Sequence, residues 1–384
     1  NSIFYITNTH RYVLTQNGYR YKEINNISLD KGINIIELYK LPITFQFVLS
    51  IFKWNLIVVK NIYKSNSSLV LNLLPYIFKE YIDYSSLFQH FNIKNHIHFI
   101  NPNGRAPLMQ NSAIITGLCR KYNAKSCGIQ NRVIHSREYE FCFDSYDLYF
   151  SWGELWIKCL GSSLCFIDKI IIVGTFNLSN QNFIDSFIIS NRKISKDYKN
   201  SRPNVLIFPT DIDISPSVFS GGFYSISYDL NFLKACLELS TQYPEINFNL
   251  KLKDKNHINI YNNFKEFKNL EISNYNNFNI IDRPRMKYMD LLYESELVIS
   301  IGFTSPGIDA ILLNKKSIYF NQLEEAGVLF NKVPNFVAKN KDELFLFFQK
   351  LINKKMYRPL NANLLDPYQD GKAIDRIISN LVKN

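Results

Sequence analysis

The sequence predicts an α/β protein built as two Rossmann-like halves. Three observations carry this. Short apolar, β-branched segments alternate with amphipathic helical patterns along the 384 residues, the signature of parallel sheets with crossover helices. A polar stretch rich in Asn, Ser and Lys, 177–202, separates two such series. Late in the second series, Leu297-Val298-Ile299-Ser300-Ile301 runs through Gly302-Phe303-Thr304-Ser305-Pro306-Gly307 into a further amphipathic segment. That pattern reads as a buried strand, a tight turn and a helix N-terminus.

In the first half, strands are expected at Ile3-Phe4-Tyr5-Ile6, at 34–38, at Leu56-Ile57-Val58-Val59, at 96–100, at 124–130, from Asp147 into a Trp152-Gly153-Glu154 loop, and at 169–174. Helical patterns cover 67–88 and 106–122. In the second half, strands are expected at 204–209, 246–252, 270–272, 297–301 and 317–320. Helices are expected at 228–242, 286–295, 306–313 and 341–353, with a terminal helix after Asp370-Gly371. The domain reading is 1–176 as a first Rossmann-like half, 177–202 as the connection, 203–365 as a second Rossmann-like half, and 366–384 as a C-terminal helix. A central cleft between two such halves is a natural bisubstrate site.

The strand–turn–helix at 297–313 also predicts chemistry. Ser305 suits an N-cap, Pro306 the first helical position, and Asp309 falls in the first turn. Free backbone N–H groups and the positive end of the helix dipole then face the space beyond the strand, a favourable place for a phosphate. The same pattern also fits a capped βα turn with no ligand.

Composition narrows the partners. The formal net charge is +11, with 46% hydrophobic and 20% charged residues, so the chain is globular and basic. The lysines are scattered, with no arginine block and no nucleic-acid motif. A phosphorylated or acidic small molecule, or an anionic membrane surface, is therefore favoured over nucleic acid. The abundance of Asn, Ile, Lys and Tyr fits AT-rich coding, so part of the charge carries no functional meaning. Six cysteines (Cys119, Cys127, Cys142, Cys159, Cys165 and Cys236) form no Cys-x-x-Cys pair, as expected of reduced thiols in a cytoplasmic protein. His96 and His98 share one strand face but lack a third ligand nearby, so no metal site is expected. The apolar stretch 41–59 approaches the ~20 residues of a membrane span. It divides more naturally into a helix and a strand, so no transmembrane segment is expected.

Read together, these motifs resemble bacterial surface-polysaccharide glycosyltransferases of the GT-B architecture, in particular the polysaccharide-biosynthesis group named for a Pro-Phe-Thr-Ser motif. Here that place reads Gly302-Phe303-Thr304-Ser305, so its first position departs. Asp370-Gly371-Lys372-Ala373-Ile374-Asp375-Arg376 resembles the Asp-Gly-x-Ala-x-x-Arg signature near the C-terminus of those enzymes. Gly128-Ile129-Gln130-Asn131 stands where they often carry Gln-His-Gly, and Phe150-Ser151-Trp152-Gly153-Glu154 is similar to the strand and loop that follow. More distant similarity is to capsule Kdo-transferases and CDP-glycerol glycerophosphotransferases. The His-Pro of the relatives is replaced by Lys251-Leu252-Lys253-Asp254, with His257 later.

The resemblance implies a metal-independent, cofactor-free transferase acting on a nucleotide sugar, with a CMP-activated acidic sugar such as Kdo the favoured donor and a glycan or glycolipid the acceptor. It implies a cytoplasmic enzyme, with possible peripheral contact with the inner face of the membrane. Such transfer needs a neutralised leaving phosphate, a positioned hydroxyl and a proton acceptor. Thr304, Ser305 and Gly307 are the expected donor contacts, with Lys253 and Arg283 as cations. Glu154, Asp211 and Asp213 are the candidate acid, base or nucleophile, and Gln130, Asn131 and Arg132 form an acceptor-side loop. Two alternatives stay open: a polyol-phosphate transferase using CDP-glycerol or a similar donor, and a non-catalytic glycan- or nucleotide-binding relative.

Overall fold

The apolar segments fold as alternating strands and helices. The computed structural model describes residues 3–7, 33–37, 81, 84–85, 87–89, 91, 93–99, 112–130, 145–161, 165–175, 203–209, 226–252, 259, 261, 263–281, 288–302, 304–322, 336–353 and 361–383. The stretch 41–59, the connection 177–202 and the side chain of His98 lie outside the described residues. The chain divides into two compact units. One comprises Asn1–His98, Leu108–Cys127 and Ser145–Asp147; the other comprises Phe99–Pro107, Gly128–Asp144 and Leu148–Asn384.

In the first unit, β1 (Ile3–Thr7) and β2 (Ile33–Glu37) pair in parallel. Helix α1 (Ser112–Lys121) buries Ser112, Ile115, Thr116 and Cys119 along one side, the i, i+3, i+4, i+7 spacing of an amphipathic helix. Ile115, Leu118 and Cys119 pack with Tyr84, Leu87 and Phe88 in one core. Asn123 ends the helix in a left-handed conformation (φ 54°). The Ala124 amide returns to the Cys119 carbonyl at 2.8 Å, closing a Schellman turn. The chain also forms a four-stranded sheet, not confined to this unit, in the order β3 (Asn95–Phe99), β4 (Lys125–Ile129), β5 (Ser145–Ser151), β6 (Phe166–Ile172). His96 is buried on β3 with its ring edge-on to Tyr84 at 5.5 Å. Cys119 and Cys127 are free and buried, and burial, reinforced by the Asp147 charge, pushes both thiols up to about 12.

Asp147 ties this unit together. Its Oδ2 accepts from the Ser126 amide (2.8 Å) and hydroxyl (2.9 Å), and its Oδ1 accepts from Arg120 Nε (2.8 Å). Thr116 on α1 donates to the Ser145 carbonyl at 2.6 Å. One helix and two strands are thereby joined by polar contacts beneath the apolar core.

The second unit continues with α2 (Glu154–Gly161), which follows β5 directly where the sequence led to the expectation of a loop. The later elements are β7 (Asn204–Phe208), α3 (Ile226–Gln242), β8 (Asn247–Lys251), α4 (Lys265–Lys268), β9 (Phe278–Ile281), α5 (Tyr288–Glu294), β10 (Leu297–Ile301), α6 (Ser305–Leu312), β11 (Lys316–Phe320), β12 (Val337–Ala338), α7 (Lys341–Ile352), α8 (Ala362–Leu365) and α9 (Ala373–Lys383). The expected strand at 270–272 is instead a turn. Glu271 is left-handed (φ 44°) and a 3-10 turn follows over Ile272–Asn274. The strand is β9, anchored by Asn277, whose Nδ2 lies 2.9 Å from the Ser240 carbonyl and 2.9 Å from that of Ile246.

Six strands form one sheet in the order β12-β11-β10-β7-β8-β9, every pair parallel. Such a sheet is covered on both faces. On one face Val205, Ile207, Phe248, Leu250, Ile299 and Ile301 pack with α3 and α7. On the other, Leu206, Phe208 and Val298 pack with Leu291, Leu292 and Ala310. Two adjacent lysines serve the two layers. Lys315 Nζ donates to the Tyr293 carbonyl (2.7 Å) at the end of α5, and Lys316 Nζ to that of Leu351 (2.6 Å) near the end of α7. Positive charge at a helix C-terminus is favourable.

The Asp147 contacts make an acid-stability prediction. Partial burial would raise this carboxyl, but hydrogen bonds from Ser126 and Arg120 outweigh it and hold it below its ordinary value of 3.8. Its contribution is therefore present above that value and lost as pH falls through the lower folded pKa. Urea midpoints measured across acid pH are expected to show Asp147→Asn less stable than wild type above about pH 5, with the gap closing at lower pH.

Candidate functional site

The sheet order points to a candidate site. The chain steps outward from β7 to β9, crosses back to lay β10 beside β7, and continues to β12. The reversal lies between β7 and β10, and ligands of open parallel sheets bind outside the carboxyl ends of the strands at such a point. Those ends are Phe208 and Ile301. Every residue of β10 is buried, so its carboxyl end is fixed by the packing of the whole sheet.

From there Gly302 takes a left-handed turn (φ 60°), with its amide held by the Phe320 carbonyl at 2.9 Å. A side chain is strained in that conformation. Thr304, not Ser305, is the N-cap of α6 (φ −79°, ψ 150°), so Ser305 and Pro306 are the first two helical residues. Asp309 correspondingly lies beyond the first turn, buried on the helix. The cap moves because Tyr319 Oη donates to the Thr304 carbonyl at 2.6 Å, tying that residue to the end of β11. The Thr304 hydroxyl does not cap. It is enclosed and makes no hydrogen bond among the described residues, and the same holds for Ser300 Oγ on β10.

Gly307 is buried against the Tyr319 ring. A Cβ there would stand 2.5 Å from Tyr319 Oη and 2.7 Å from its Cε1. The missing side chain is thus required by the aromatic ring beneath it.

Neighbouring strand ends add polar groups that the sequence reading passed over. Lys251, the last residue of β8, is buried, and its Nζ donates to the Leu252 carbonyl at 2.6 Å. Tyr228, in the first turn of α3, accepts from the Gln322 amide (3.1 Å) and donates to Asn321 Oδ1 (3.0 Å) just past β11. Beside it Tyr261 donates to the buried Asp229 at 2.7 Å, and burial followed by that carboxylate pushes the Tyr261 hydroxyl well above its ordinary pKa. Of these residues only Lys251 stands at a strand end; Tyr228 and Asp229 belong to α3.

A second group surrounds the ends of β4, β5 and β6. Gln130 is buried. Its Oε1 accepts from the Trp152 amide (2.9 Å) and the Ser151 hydroxyl (3.2 Å), while its carbonyl accepts from Trp152 Nε1 (2.7 Å). Trp152 and Trp156 meet edge to face at 5.8 Å. Glu154 is the first residue of α2 and is exposed. Asp370, Gly371 and Arg376 gather at the start of α9. Arg376 pairs with Asp370, lies over the Tyr368 ring at 3.6 Å, and donates to the Val173 carbonyl at 3.1 Å.

Of the nominated residues, Thr304, Ser305 and Gly307 come together at the start of α6, whereas Gln130 and Glu154 belong to the second group. Lys253, Arg283, Asp211, Asp213, Asn131 and Arg132 lie outside the described residues. Among the described residues no cluster of His, Cys, Asp and Glu has the makings of a metal site, and no helix is long and apolar enough to cross a membrane.

Over residues 62–348 the chain matches the family described as polysaccharide biosynthesis PFTS motif protein, and it belongs to that family. No curated protein matches the chain at significant sequence similarity. Among solved structures it resembles a UDP-GlcNAc 2-epimerase from Neisseria meningitidis bound to UDP-GlcNAc, at 16% identity and TM-score 0.54, over 100% of this chain and 99% of that one. The UDP-GlcNAc 2-epimerase of Methanocaldococcus jannaschii aligns at 12% identity and TM-score 0.54, over 99% of both chains. A glycosyltransferase from Rickettsia africae aligns at 15% identity and TM-score 0.50, over 100% of this chain and 99% of that one. The fold is therefore GT-B.

The contact between Gly307 and Tyr319 is open to a direct test. Gly307→Ala is expected to destabilise the protein by about 1–3 kcal/mol through overpacking. Combining it with Tyr319→Leu should cost less than the sum of the two single changes. Denaturant titration of the four proteins measures the coupling, and simple additivity would show that the ring and the glycine do not constrain one another.

Proposed function

We propose that this member of the polysaccharide-biosynthesis family is a glycosyltransferase that moves a sugar from a nucleotide donor to a glycan or glycolipid acceptor. One observation carries the reading: the strand that reverses the sheet order delivers Thr304 and Ser305 to the N-terminus of α6. Amides and dipole at such a terminus suit the phosphates of a donor. The bond between the anomeric carbon and the phosphate oxygen breaks, and the charge that develops on the leaving phosphate is stabilised there. The acceptor hydroxyl forms the new bond and gives up its proton.

Glu154, exposed at the start of α2, is the proposed recipient of that proton. In a double displacement, Asp211 or Asp213 would be the nucleophile and Glu154 the acid/base partner. The donor is read as a cytidine nucleotide carrying an acidic sugar such as Kdo, on the similarity of the Thr304-Ser305 loop to that of capsule Kdo-transferases. The net charge of +11 favours an acidic donor and peripheral association with an anionic membrane. The Neisseria relative binds UDP-GlcNAc, which makes uridine the competing base.

A thermal-shift screen against CMP, CDP, UDP and GDP tests this. A ligand at roughly a hundredfold excess over Kd adds about 2.7 kcal/mol, or about 5–11 °C for domains of about 150–250 residues. Such a rise is expected with CMP or CDP. Preference for UDP or GDP would overturn the cytidine assignment, and no response to any of the four would overturn the transferase reading. Linkage analysis of the product separates a glycosidic bond from the phosphodiester of a polyol-phosphate transferase.

A further inference from the structure

The segment 361–376 makes a set of contacts that the proposed chemistry does not use. The Trp156 indole donates to the Leu365 carbonyl at 3.1 Å. Gly153 is pressed against the same segment, where a Cβ would stand 2.7 Å from the Leu364 carbonyl oxygen. Asp366, 1% exposed, accepts from three backbone amides: Thr175 at 2.8 Å on Oδ2, and Tyr368 at 2.9 Å and Gln369 at 3.0 Å on Oδ1. Gly174, left-handed at φ 88°, leaves room for that carboxylate, since a Cβ would stand 2.9 Å from Oδ1. Arg376 reaches the adjacent Val173 carbonyl. All these residues belong to one compact unit.

Glu154 stands between Gly153 and Trp156, the two anchored residues, and has no such anchor of its own in the segment. We propose that Asp366 is a positioning residue for Glu154. Its carboxylate locks 365–369 to the end of β6, and the Leu364 and Leu365 carbonyls then set the height of the Trp152-Gly153-Glu154 turn. This rests on the assignment of Glu154 as the proton acceptor. A misplacement of about 1 Å in a catalytic group is enough to cost about a hundredfold in rate, so a buried three-amide clamp is an economical way to hold it. Neutral Asp366→Asn keeps the shape but leaves Nδ2, a donor, facing amides that are themselves donors. Asp366→Ala loses all three acceptances.

The test uses the full chain with the nucleotide sugar selected by the screen. Asp366→Ala and Trp156→Phe are each expected to lower kcat by about tenfold or more, and Trp156→Phe, whose lost hydrogen bond lies on the α2 side of the segment, to leave donor KM within about twofold. Hydrogen exchange should rise across 152–157 and stay unchanged in α7. Asp366→Asn should fall between Asp366→Ala and wild type. Unchanged exchange at 152–157 in both Asp366→Ala and Trp156→Phe would overturn the positioning role, as would, in Trp156→Phe, a rise in donor KM equal to the fall in kcat/KM. Trp156→Phe keeps an aromatic ring but loses the indole N–H and its hydrogen bond to Leu365, so it decides the matter if Asp366→Ala fails to fold. Glu154→Gln with full activity would overturn the base assignment instead, and the exchange measurement keeps the two failures apart.

Discussion

Complete burial of β10 between β7 and β11 is the constraint on which the rest of the second unit depends. Its five residues have no solvent-facing side, so neither register nor direction can change without exposing apolar surface. The end of the strand, and with it the start of α6, inherits that rigidity. Tyr319 on the neighbouring strand then sets the detail, because its hydroxyl holds the Thr304 carbonyl and its ring occupies the space beside Gly307. The N-terminal end of α6 is therefore placed by tertiary packing more than by its own capping residues.

Much of this fold was legible in the sequence, and the reason is periodicity. β7, β8, β10, β11, α3 and α7 are long or strongly patterned and lie close to their expected spans. The strand β9 was misplaced because Leu270 and Ile272 look like strand residues, whereas the left-handed Glu271 turns the chain there. Helix α2 was hidden by the Trp152-Gly153 pair before it and by the apolar run Leu155-Trp156-Ile157, which also suits a strand. At the candidate site the loop at 302–307 was legible as a turn into a helix. Its cap was misread by one residue because Ser and Thr are both good N-caps, and only the Tyr319 contact distinguishes them. Lys251 and Tyr228 were not legible, since no local pattern shows that a side chain will end at the carboxyl edge of a sheet.

The polar interactions of the molecule divide into two kinds. Some satisfy groups that the backbone leaves over, as Asn277 does beneath β9 and Lys315 and Lys316 do at helix ends. Others join pieces distant in sequence, as Asp147 joins α1 to β4 and as Asp366 joins the end of β6 to the last helices. The second kind is carried by carboxylates accepting from backbone amides, bonds that are stronger than neutral ones and geometrically demanding. A basic protein thus spends several of its scarcer acidic residues on internal architecture, leaving Glu154 among the exposed ones.

Lys315 and Lys316 have a consequence for chain length. Adjacent residues at the start of a strand point to opposite faces, and here each reaches the end of a different helix, α5 on one side and α7 on the other. Insertion or deletion of one residue just before β11 would exchange the two faces, sending each ammonium towards the wrong layer and turning Ile318 and Phe320 out of their core. Length variation between α6 and β11 is thus closed to drift, while single-residue substitutions of either lysine leave the strand register intact.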